Sequence, residues 1–283
     1  MAREKATIGI IGGTGKMGRW FGAFFKERGH DVLICGRRTR CTIQDVAGLC
    51  RVVILSVPLE AALSLTETVG PLLHEDQVLM DICSLKETIT RKMEASTGAE
   101  VIGTHPLFGP RAESVRGQNV VVCPARGEAW LQWLRAILEG AGASVVQCDA
   151  RIHDRKMGLV QGLNHFLTIA LALTLREAGE TLDDILPFAT PIFRLKLDLV
   201  GRLFAQDLEL YQDLIRKNAH TVPMLETFIR EVQKAQGTLL ESTDSEAIHL
   251  LRELRAFVGQ FGRKGLHESD AFLEHIAQSS GRP

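Results

Sequence analysis

The first half of the chain alternates short apolar runs with segments whose apolar residues recur every three or four positions. Several runs are almost unbroken Val, Ile and Leu, as in strands covered on both faces of a parallel sheet. Between the first two runs, segment 16–28 places three phenylalanines on one side of a helix. This alternation predicts a doubly wound, Rossmann-like α/β domain. The predicted strands are residues 7–11, 32–35, 52–57, 78–82, 101–103, 120–123 and 145–148.

From residue 150 onward the pattern changes to helical periodicity, and no strand is predicted. We therefore predict two domains, a dinucleotide-binding domain over 1–149 and an all-helical domain over 150–283. Several helices are apolar over more than one face, which favours a dimer interface, with a self-contained bundle as the alternative. Pro223 is expected to kink or break the third helix. The predicted helices are residues 151–178, 192–205, 207–240, 242–261 and 268–278.

Composition narrows the class of protein. The chain has 283 residues, 45% hydrophobic and 24% charged, with a net charge of −1, which is typical of a soluble globular protein and not of a nucleic-acid binder. The six cysteines form no C-x-x-C pair and no metal-ligand spacing with histidines, so we expect reduced, buried thiols and no metal site. No signal-peptide core opens the sequence, and the apolar stretch 166–175 is too short to span a bilayer. These features predict a cytoplasmic protein with no membrane partner.

A glycine-rich segment follows the first predicted strand and opens the first predicted helix. Gly13, Gly15 and Gly18 match G-x-G-x-x-G, with Thr14, Lys16 and Met17 between them. In this context the glycines permit a tight turn, and the N–H groups at the helix start face a pyrophosphate. The segment predicts a dinucleotide site, with a structural glycine turn as the alternative.

The end of the second predicted strand bears on the choice of cofactor. NAD-binding folds usually place an acidic residue there to bond the ribose 2′-hydroxyl. This chain has Gly36, followed by Arg37 and Arg38. Arginine binds a 2′-phosphate through charge-assisted hydrogen bonds, so we favour NADP, with NAD as the alternative. Ser56 and Pro58, around the end of the third strand, complete the predicted cofactor-binding residues.

Two short segments carry candidate catalytic residues of the first domain. His105 precedes Pro106, which favours an extended backbone at the end of a strand, where open α/β sheets bind ligands. Histidine is suited to accept a proton near neutral pH, although a histidine in a Pro/Gly turn is the alternative. Ser84 is expected to cap a helix with Glu87, to orient a base, or both. Lys86 is a candidate for binding a carboxylate.

The helical half carries four polar candidates. Gln161 and His165 are four residues apart and are expected to share a helix face. Arg194 and Arg202 are eight apart and lie among apolar residues, which favours a buried anion site over exposed salt bridges. A histidine that only completes a core or an interface remains the alternative for His165.

Together these segments resemble the prephenate dehydrogenase family, particularly the bacterial type often fused to chorismate mutase. The resemblance covers most of residues 7–235. The histidine–proline segment and the arginine run are specific, whereas the glycine loop is generic. The matching segments are residues 13–18, 84–86, 105–110, His153 and Asp154 with Met157, Gln161, residues 165–166, and the run from 191 to 207.

The resemblance implies NAD(P)-dependent oxidative decarboxylation of prephenate to 4-hydroxyphenylpyruvate, a step of tyrosine biosynthesis. His105 would bond the ring 4-hydroxyl and remove its proton, and Ser84 would orient both groups. Arg202 would bind a substrate carboxylate, supported by Arg194 and Lys86. His165 and Gln161 would contribute to substrate binding. The resemblance also implies a homodimer built by the helical half.

Two departures from the family pattern stand out. No mutase domain is expected in this sequence, and Gly36 replaces the acid that the most similar members carry, which puts NAD use in doubt. Arogenate and 4-amino-4-deoxyprephenate are alternative substrates. An NADP-dependent reductase of the β-hydroxyacid kind would use Lys156 as its acid, and a non-catalytic NADP-binding regulator would bind cofactor without turnover.

Overall fold

The computed structural model describes residues 5–280. It divides into two compact units, one ending at Met157 and the other beginning at Gly158. The boundary predicted at Asp149 lies one short helix earlier in the chain.

The first unit is built on a seven-stranded sheet in the order β2-β1-β3-β4-β5-β6-β7. Strands β1 to β5 are parallel, as predicted, whereas β6 is antiparallel to β5 and β7 is parallel to β6. The last two strands therefore run opposite to β1–β5. Their bounds are β1 Thr7–Ile11, β2 Asp31–Cys35, β3 Val52–Leu55, β4 Val78–Asp81, β5 Glu100–Pro106, β6 Asn119–Arg126 and β7 Ser144–Gln147.

Helices cover both faces of this sheet. Alternate residues of one strand enter different cores: Ile54 packs in the cluster that contains Phe25, whereas Val53 and Leu55 pack in the cluster that contains Val46. All four residues of β3 are buried, which is why its sequence is uniformly apolar. The helices are α1 Lys16–Glu27, α2 Ile43–Leu49, α3 Leu59–Val69, α4 Glu87–Ser96, α5 Ala129–Gly140 and α6 Ala150–Met157, with a 3₁₀ turn at Gly70–Leu72.

Strand β5 is longer than the sequence predicts, and this changes the position of His105. The apolar run ends at Gly103, but the strand continues to Pro106 because β6 pairs with it, placing His105 opposite Val121. His105 is therefore a strand residue near the carboxyl end of β5, not a loop residue that follows the strand. The parallel strands β1, β3 and β4 end at the same edge.

The second unit is helical throughout the residues that the structure describes. Pro223 lies in the first turn of α11, where proline is tolerated, and the chain breaks at residues 217–220 instead. The predicted single helix over 207–240 is thus two helices. The elements are a π-helical segment Gly158–Leu163, α7 Asn164–Glu177, α8 Leu182–Ile185, a 3₁₀ turn Leu186–Phe188, α9 Pro191–Phe204, α10 Leu208–Arg216, α11 Thr221–Leu240, α12 Asp244–Val258 and α13 Phe261–Ser280.

The helix predicted over 151–178 runs without a break from Ala150 to Glu177, for 28 residues. By length and composition alone it could cross a membrane, so the expectation that its apolar stretch is too short does not hold. Only 11% of its most apolar window is buried within the chain. One such helix is weak support for a membrane span.

Candidate functional site

The loop between β1 and α1 has the backbone geometry of a phosphate-binding turn. Gly12 has φ of +84°, and a Cβ there would lie 2.2 Å from the Ser56 carbonyl oxygen, so only glycine fits. Gly15 is the N-cap of α1; its first turn has no side-chain cap and no acidic residue. Thr14, Gly15 and Lys16 are exposed. The N–H groups at the start of α1 are thus open to an anionic ligand, which fits a dinucleotide phosphate.

The arginines predicted to select the cofactor lie on a tight turn after β2. The Thr39 N–H donates to the Gly36 carbonyl oxygen at 3.0 Å, which places Arg37 and Arg38 at the exposed centre of the turn. A Cβ at Gly36 would lie 2.8 Å from the Thr14 hydroxyl oxygen. The turn therefore approaches the glycine loop closely, and a larger residue at position 36 would require the Thr14 side chain to shift.

Ser56 and Pro58 follow β3 beside the same loop. The Ser56 N–H donates to the Ile11 carbonyl oxygen at 2.8 Å, and the Pro58 carbonyl accepts the first N–H bond of α3, from Ala62. Ser56 is half-buried and Pro58 is exposed. The structure thus brings the predicted cofactor-binding residues to one edge of the sheet.

His105 lies at the end of a chain of buried hydrogen-bonding groups. Its Nδ1 is 2.9 Å from Nε2 of His153, on α6. Nδ1 of His153 is 2.7 Å from Oδ1 of Asp154. All three residues are buried, with exposed fractions of 3%, 1% and 6%. The histidine singled out by the sequence is therefore the outer member of a His-His-Asp series.

Asp154 also performs the capping role that the sequence assigned to Ser84. Its Oδ1 accepts the Lys86 N–H at 2.8 Å and its Oδ2 accepts the Glu87 N–H at 2.9 Å, at the start of α4. The helix has no cap from a side chain within its own N-terminal segment. The expected capping box of Ser84 and Glu87 is therefore wrong, because a carboxylate from α6 takes that place. Ser84 is half-buried in the segment between β4 and α4.

Lys86 is fully buried and forms an ion pair with Asp81, the last residue of β4. The Asp81 carboxylate also accepts the Cys83 N–H at 2.8 Å. A lysine expected to bind a substrate carboxylate is thus already paired with a carboxylate of the protein. The positive charge of Lys86 instead helps to lower the pKa of the neighbouring His105.

The surroundings of His105 keep its imidazole neutral. Burial lowers the pKa of His105 well below its ordinary value of 6.5, and the repulsion that a second cation would meet from the His153 ring and from Lys86 lowers it further. Burial also raises the pKa of the Cys83 and Cys123 thiols, which stay protonated at neutral pH. At neutral pH His105 is therefore in the form that can accept a proton.

In the helical unit, two predicted residues are joined by contacts with their neighbours. The His165 ring meets the Tyr211 ring edge-on, with centroids 4.8 Å apart. The Gln206 side-chain amide donates to the Tyr211 hydroxyl and to the Arg202 carbonyl, each at 2.9 Å. Burial lowers the pKa of His165, which favours its neutral form. His165 is thus connected to the helix end that carries Arg202.

The expectation that Arg194 and Arg202 are buried is wrong for the single chain. Arg202 is exposed, and Arg194 is partly exposed and pairs with Asp198 at 3.2 Å, one turn along α9. Their apolar neighbours are themselves largely uncovered, for example Ile192, which is 56% exposed. Gln161 lies in the π-helical segment, whose wider turns do not keep the spacing on which its shared face with His165 was predicted.

Two family models match this chain. The prephenate dehydrogenase nucleotide-binding domain matches residues 26–147, and the prephenate dehydrogenase dimerization domain matches residues 149–256. The T-protein of Haemophilus influenzae is 34% identical over 269 residues, covering 94% of this chain and 71% of that protein. The chain belongs to the prephenate dehydrogenase family.

A second relative is the probable arogenate/prephenate dehydrogenase of Methanocaldococcus jannaschii, 31% identical over 95% of this chain and 65% of that protein. Among solved structures, prephenate dehydrogenase from A. aeolicus, in complex with hydroxyphenyl propionate and NAD+, matches with a TM-score of 0.74. It is 19% identical, and the match covers 90% of this chain and 98% of that chain, so it supports the fold alone. Members of the family are oxidoreductases, and the predicted family and fold class are confirmed.

Three groups that the structure places around His105 had no role predicted from the sequence. His153 and Asp154 belong to the resemblance, and an adjacent His-Asp pair at the start of a helix was the available signal. Asp81 gave no signal, because its pairing with Lys86 depends on the turn between β4 and α4. Gly12 precedes the recognised glycine pattern, and only its positive φ reveals its role.

Proposed function

We propose that this protein catalyses the NAD(P)-dependent oxidative decarboxylation of prephenate to 4-hydroxyphenylpyruvate, a step of tyrosine biosynthesis. Membership of the family supports the reaction class. The observation that carries the proposal is a neutral, buried His105 at the carboxyl edge of a sheet whose neighbouring loop fits a dinucleotide.

In the proposed reaction, His105 accepts the proton of the ring 4-hydroxyl. A bound nicotinamide would take the hydride from the same carbon. Loss of the ring carboxylate as CO₂ then completes aromatisation, which makes the reaction irreversible. Ser84 orients His105 and the hydroxyl. The Lys86–Asp81 ion pair contributes to the electrostatic environment of His105. This role is proposed for Lys86 in place of direct substrate binding.

Four residues of the helical unit are proposed, from the family resemblance, to contribute to substrate binding. Arg202 binds a carboxylate through charge-assisted hydrogen bonds, and Arg194 adds positive charge. His165, held against Tyr211, lines the substrate pocket, and Gln161 contributes a polar contact. The dimerization-domain match and the exposed apolar surface of this unit support a homodimer. The kinship with biosynthetic enzymes supports a cytoplasmic location.

For the cofactor, we propose a preference for NADP over NAD. Arg37 and Arg38 occupy an exposed turn beside Thr14, and Gly36 leaves no acid to repel a 2′-phosphate. Replacing both arginines by glutamine should lower the ratio of kcat/KM for NADP to that for NAD by about 10–100-fold. Arg135→Gln is the control, because Arg135 is a partly exposed arginine of α5 paired with Glu139. An unchanged ratio in the double variant would refute the assignment.

The reaction is tested by following NAD(P)H formation with prephenate, arogenate or 4-amino-4-deoxyprephenate, each with NADP⁺ or NAD⁺. Turnover that is fastest with prephenate and NADP⁺ is the expected result. Faster turnover of an amino substrate would move the assignment to that substrate and keep the chemistry. Cofactor binding without turnover of any of the three would favour the non-catalytic regulator or the reductase of the β-hydroxyacid kind.

A further inference from the structure

We infer that His153 and Asp154 are positioning residues that hold the proton of His105 on Nδ1, and that His153 receives the positive charge when His105 accepts a proton. The inference rests on the proposed function only for the source of that proton. It concerns three side chains of one unit, joined by contacts of 2.9 and 2.7 Å.

The first step concerns Asp154. Its carboxylate accepts two backbone N–H groups from the start of α4, at 2.8 and 2.9 Å, in addition to its contact with His153. Hydrogen bonds from N–H donors favour the ionised carboxylate, which accepts and cannot donate. His153 must therefore donate its Nδ1–H to Asp154. In the neutral ring the lone pair then lies on Nε2.

The second step follows for His105. Nε2 of His153 is an acceptor, so Nδ1 of His105, 2.9 Å away, must be the donor. The neutral His105 ring then carries its lone pair on Nε2, so Nε2 is the nitrogen that can accept a proton. The capping carboxylate of α4 thus determines, through two rings, which nitrogen of His105 acts as the base.

The third step concerns the charge that proton transfer creates. His105 is surrounded by groups that disfavour a cation: it is buried, and the Lys86 ammonium, paired with Asp81, lies nearby. The Cys83 and Cys123 thiols in this region are neutral. His153, in contrast, has a carboxylate at 2.7 Å. The Asp154 carboxylate thus supplies beside His153 a negative counter-charge to which the imidazole is directly hydrogen-bonded.

The proton movements balance without a further reactant. The substrate O–H bond breaks and an N–H bond forms at Nε2 of His105. The Nδ1–H bond of His105 breaks and an N–H bond forms at Nε2 of His153. His105 ends neutral, and the His153 imidazolium lies against the Asp154 carboxylate. The reverse movements release the proton through His105 after product leaves.

The tautomers are tested directly by ¹⁵N NMR of ring-labelled histidines in the intact, substrate-free protein. His105→Asn and His153→Gln assign the signals. We expect both rings to carry the proton on Nδ1 at neutral pH. A His105 ring with its proton on Nε2 would overturn the inference. Because this measurement needs no turnover, its outcome is independent of the identity of the substrate.

Kinetics then separate positioning from a structural role. In Asp154→Asn the side-chain amide can donate to Nδ1 of His153, which would reverse both tautomers, so we expect kcat to fall by about 10²–10³-fold with little change in KM. Asp149→Asn is the matched control: the exposed Asp149 accepts the Arg151 and Ile152 N–H groups at the start of α6, outside the series. Wild-type kcat in folded Asp154→Asn would contradict the inference.

A second variant covers the case in which Asp154→Asn fails to fold. Glutamine at position 153 can accept from His105 and donate to Asp154, but it cannot take up a proton. His153→Gln should lower kcat by about 10–100-fold and alter its pH profile, while KM stays nearly constant. Wild-type kcat and pH profile in this variant would show that His153 only fills space. If the wild-type protein turns over none of the substrates, the proposed function fails and the NMR result still decides the tautomers.

Discussion

The two units of this protein differ in how much of their apolar surface the single chain buries. In the first, all four residues of β3 and of β4 are buried, and Lys86 and Asp81 form an ion pair inside it. In the second, none of the 14 residues of α7 is buried, and none of the 15 residues of α12. Phe188 and Phe257 are 88% and 87% exposed.

This difference separates two kinds of functional residue. The state of His105 is set by contacts within one chain, so its charge and its partners can be derived from the single protein. The environments of Arg194 and Arg202 depend on surface that the single chain leaves open, as expected for a dimerization domain. We therefore expect substitutions in the first unit to act on chemistry, and those in the second to act on binding and assembly.

The largest effect is expected for His105→Asn. Removing the proposed base should lower kcat by about 10²–10⁴-fold and leave KM nearly unchanged, because the loss falls on the transition state. The measurement is steady-state kinetics with prephenate and the preferred cofactor. His74→Asn is the control, since His74 is exposed in the turn before β4. A near-normal kcat would remove His105 from the mechanism and, with it, the contrast between the units.

Some strands of the first unit can be predicted from the sequence, and the direction and length of others cannot. The parallel strands β1, β3 and β4 were predictable because strands buried on both faces require uninterrupted apolar runs. The direction of β6 was not, because an apolar run has the same composition whichever way it points. The extension of β5 to Pro106 depends on pairing with β6, which no local pattern records.

The site was predictable residue by residue but not as a network. His105 stands out beside Pro106, whereas its link to His153 requires α6 to pack where a separate domain had been predicted to begin. Ser84 satisfied the local rule for a helix cap, and the more distant Asp154 took the position. Local rules identify residue types that can do chemistry, while tertiary contacts determine what those residues do.

A smaller effect, on the KM for prephenate, is expected for Arg202→Gln. Loss of a charge-assisted bond to a substrate carboxylate should raise KM for prephenate by about 10–100-fold, with a smaller change in kcat. Arg176→Gln is the matched control, an exposed arginine of α7 paired with Glu177. A small change in KM would assign Arg202 to structure or assembly instead of substrate binding.

The oligomeric state tests directly whether the helical unit, and not the first unit, forms the dimer interface. Leu173 on α7 and Leu49 on α2 are exposed leucines of the two units, at 46% and 64%. If the helical unit forms the dimer, Leu173→Glu should lower the mass in solution toward about half, because a buried charge opposes association. Leu49→Glu should leave the mass unchanged. Light scattering after size exclusion measures both, and the reverse pattern would place the interface on the first unit.

The smallest effect concerns stability and pH. The lowered pKa of His105 means that below its ordinary value of 6.5 the unfolded chain binds a proton that the native state excludes. The free energy of unfolding should therefore fall as the pH drops below 6.5, by at most about 1.4 kcal/mol per pH unit for this group. Burial also lowers the pKa of His165, which therefore contributes with the same sign from the other unit.

Urea unfolding at fixed protein concentration, between neutral and mildly acidic pH, measures how the free energy of unfolding changes with pH. His105→Asn should flatten this dependence more than His165→Asn, because His105 is buried and His165 is only partly so. Equal slopes in wild type and His105→Asn would show that His105 does not exclude a proton in the native state and would contradict its assignment as a neutral base.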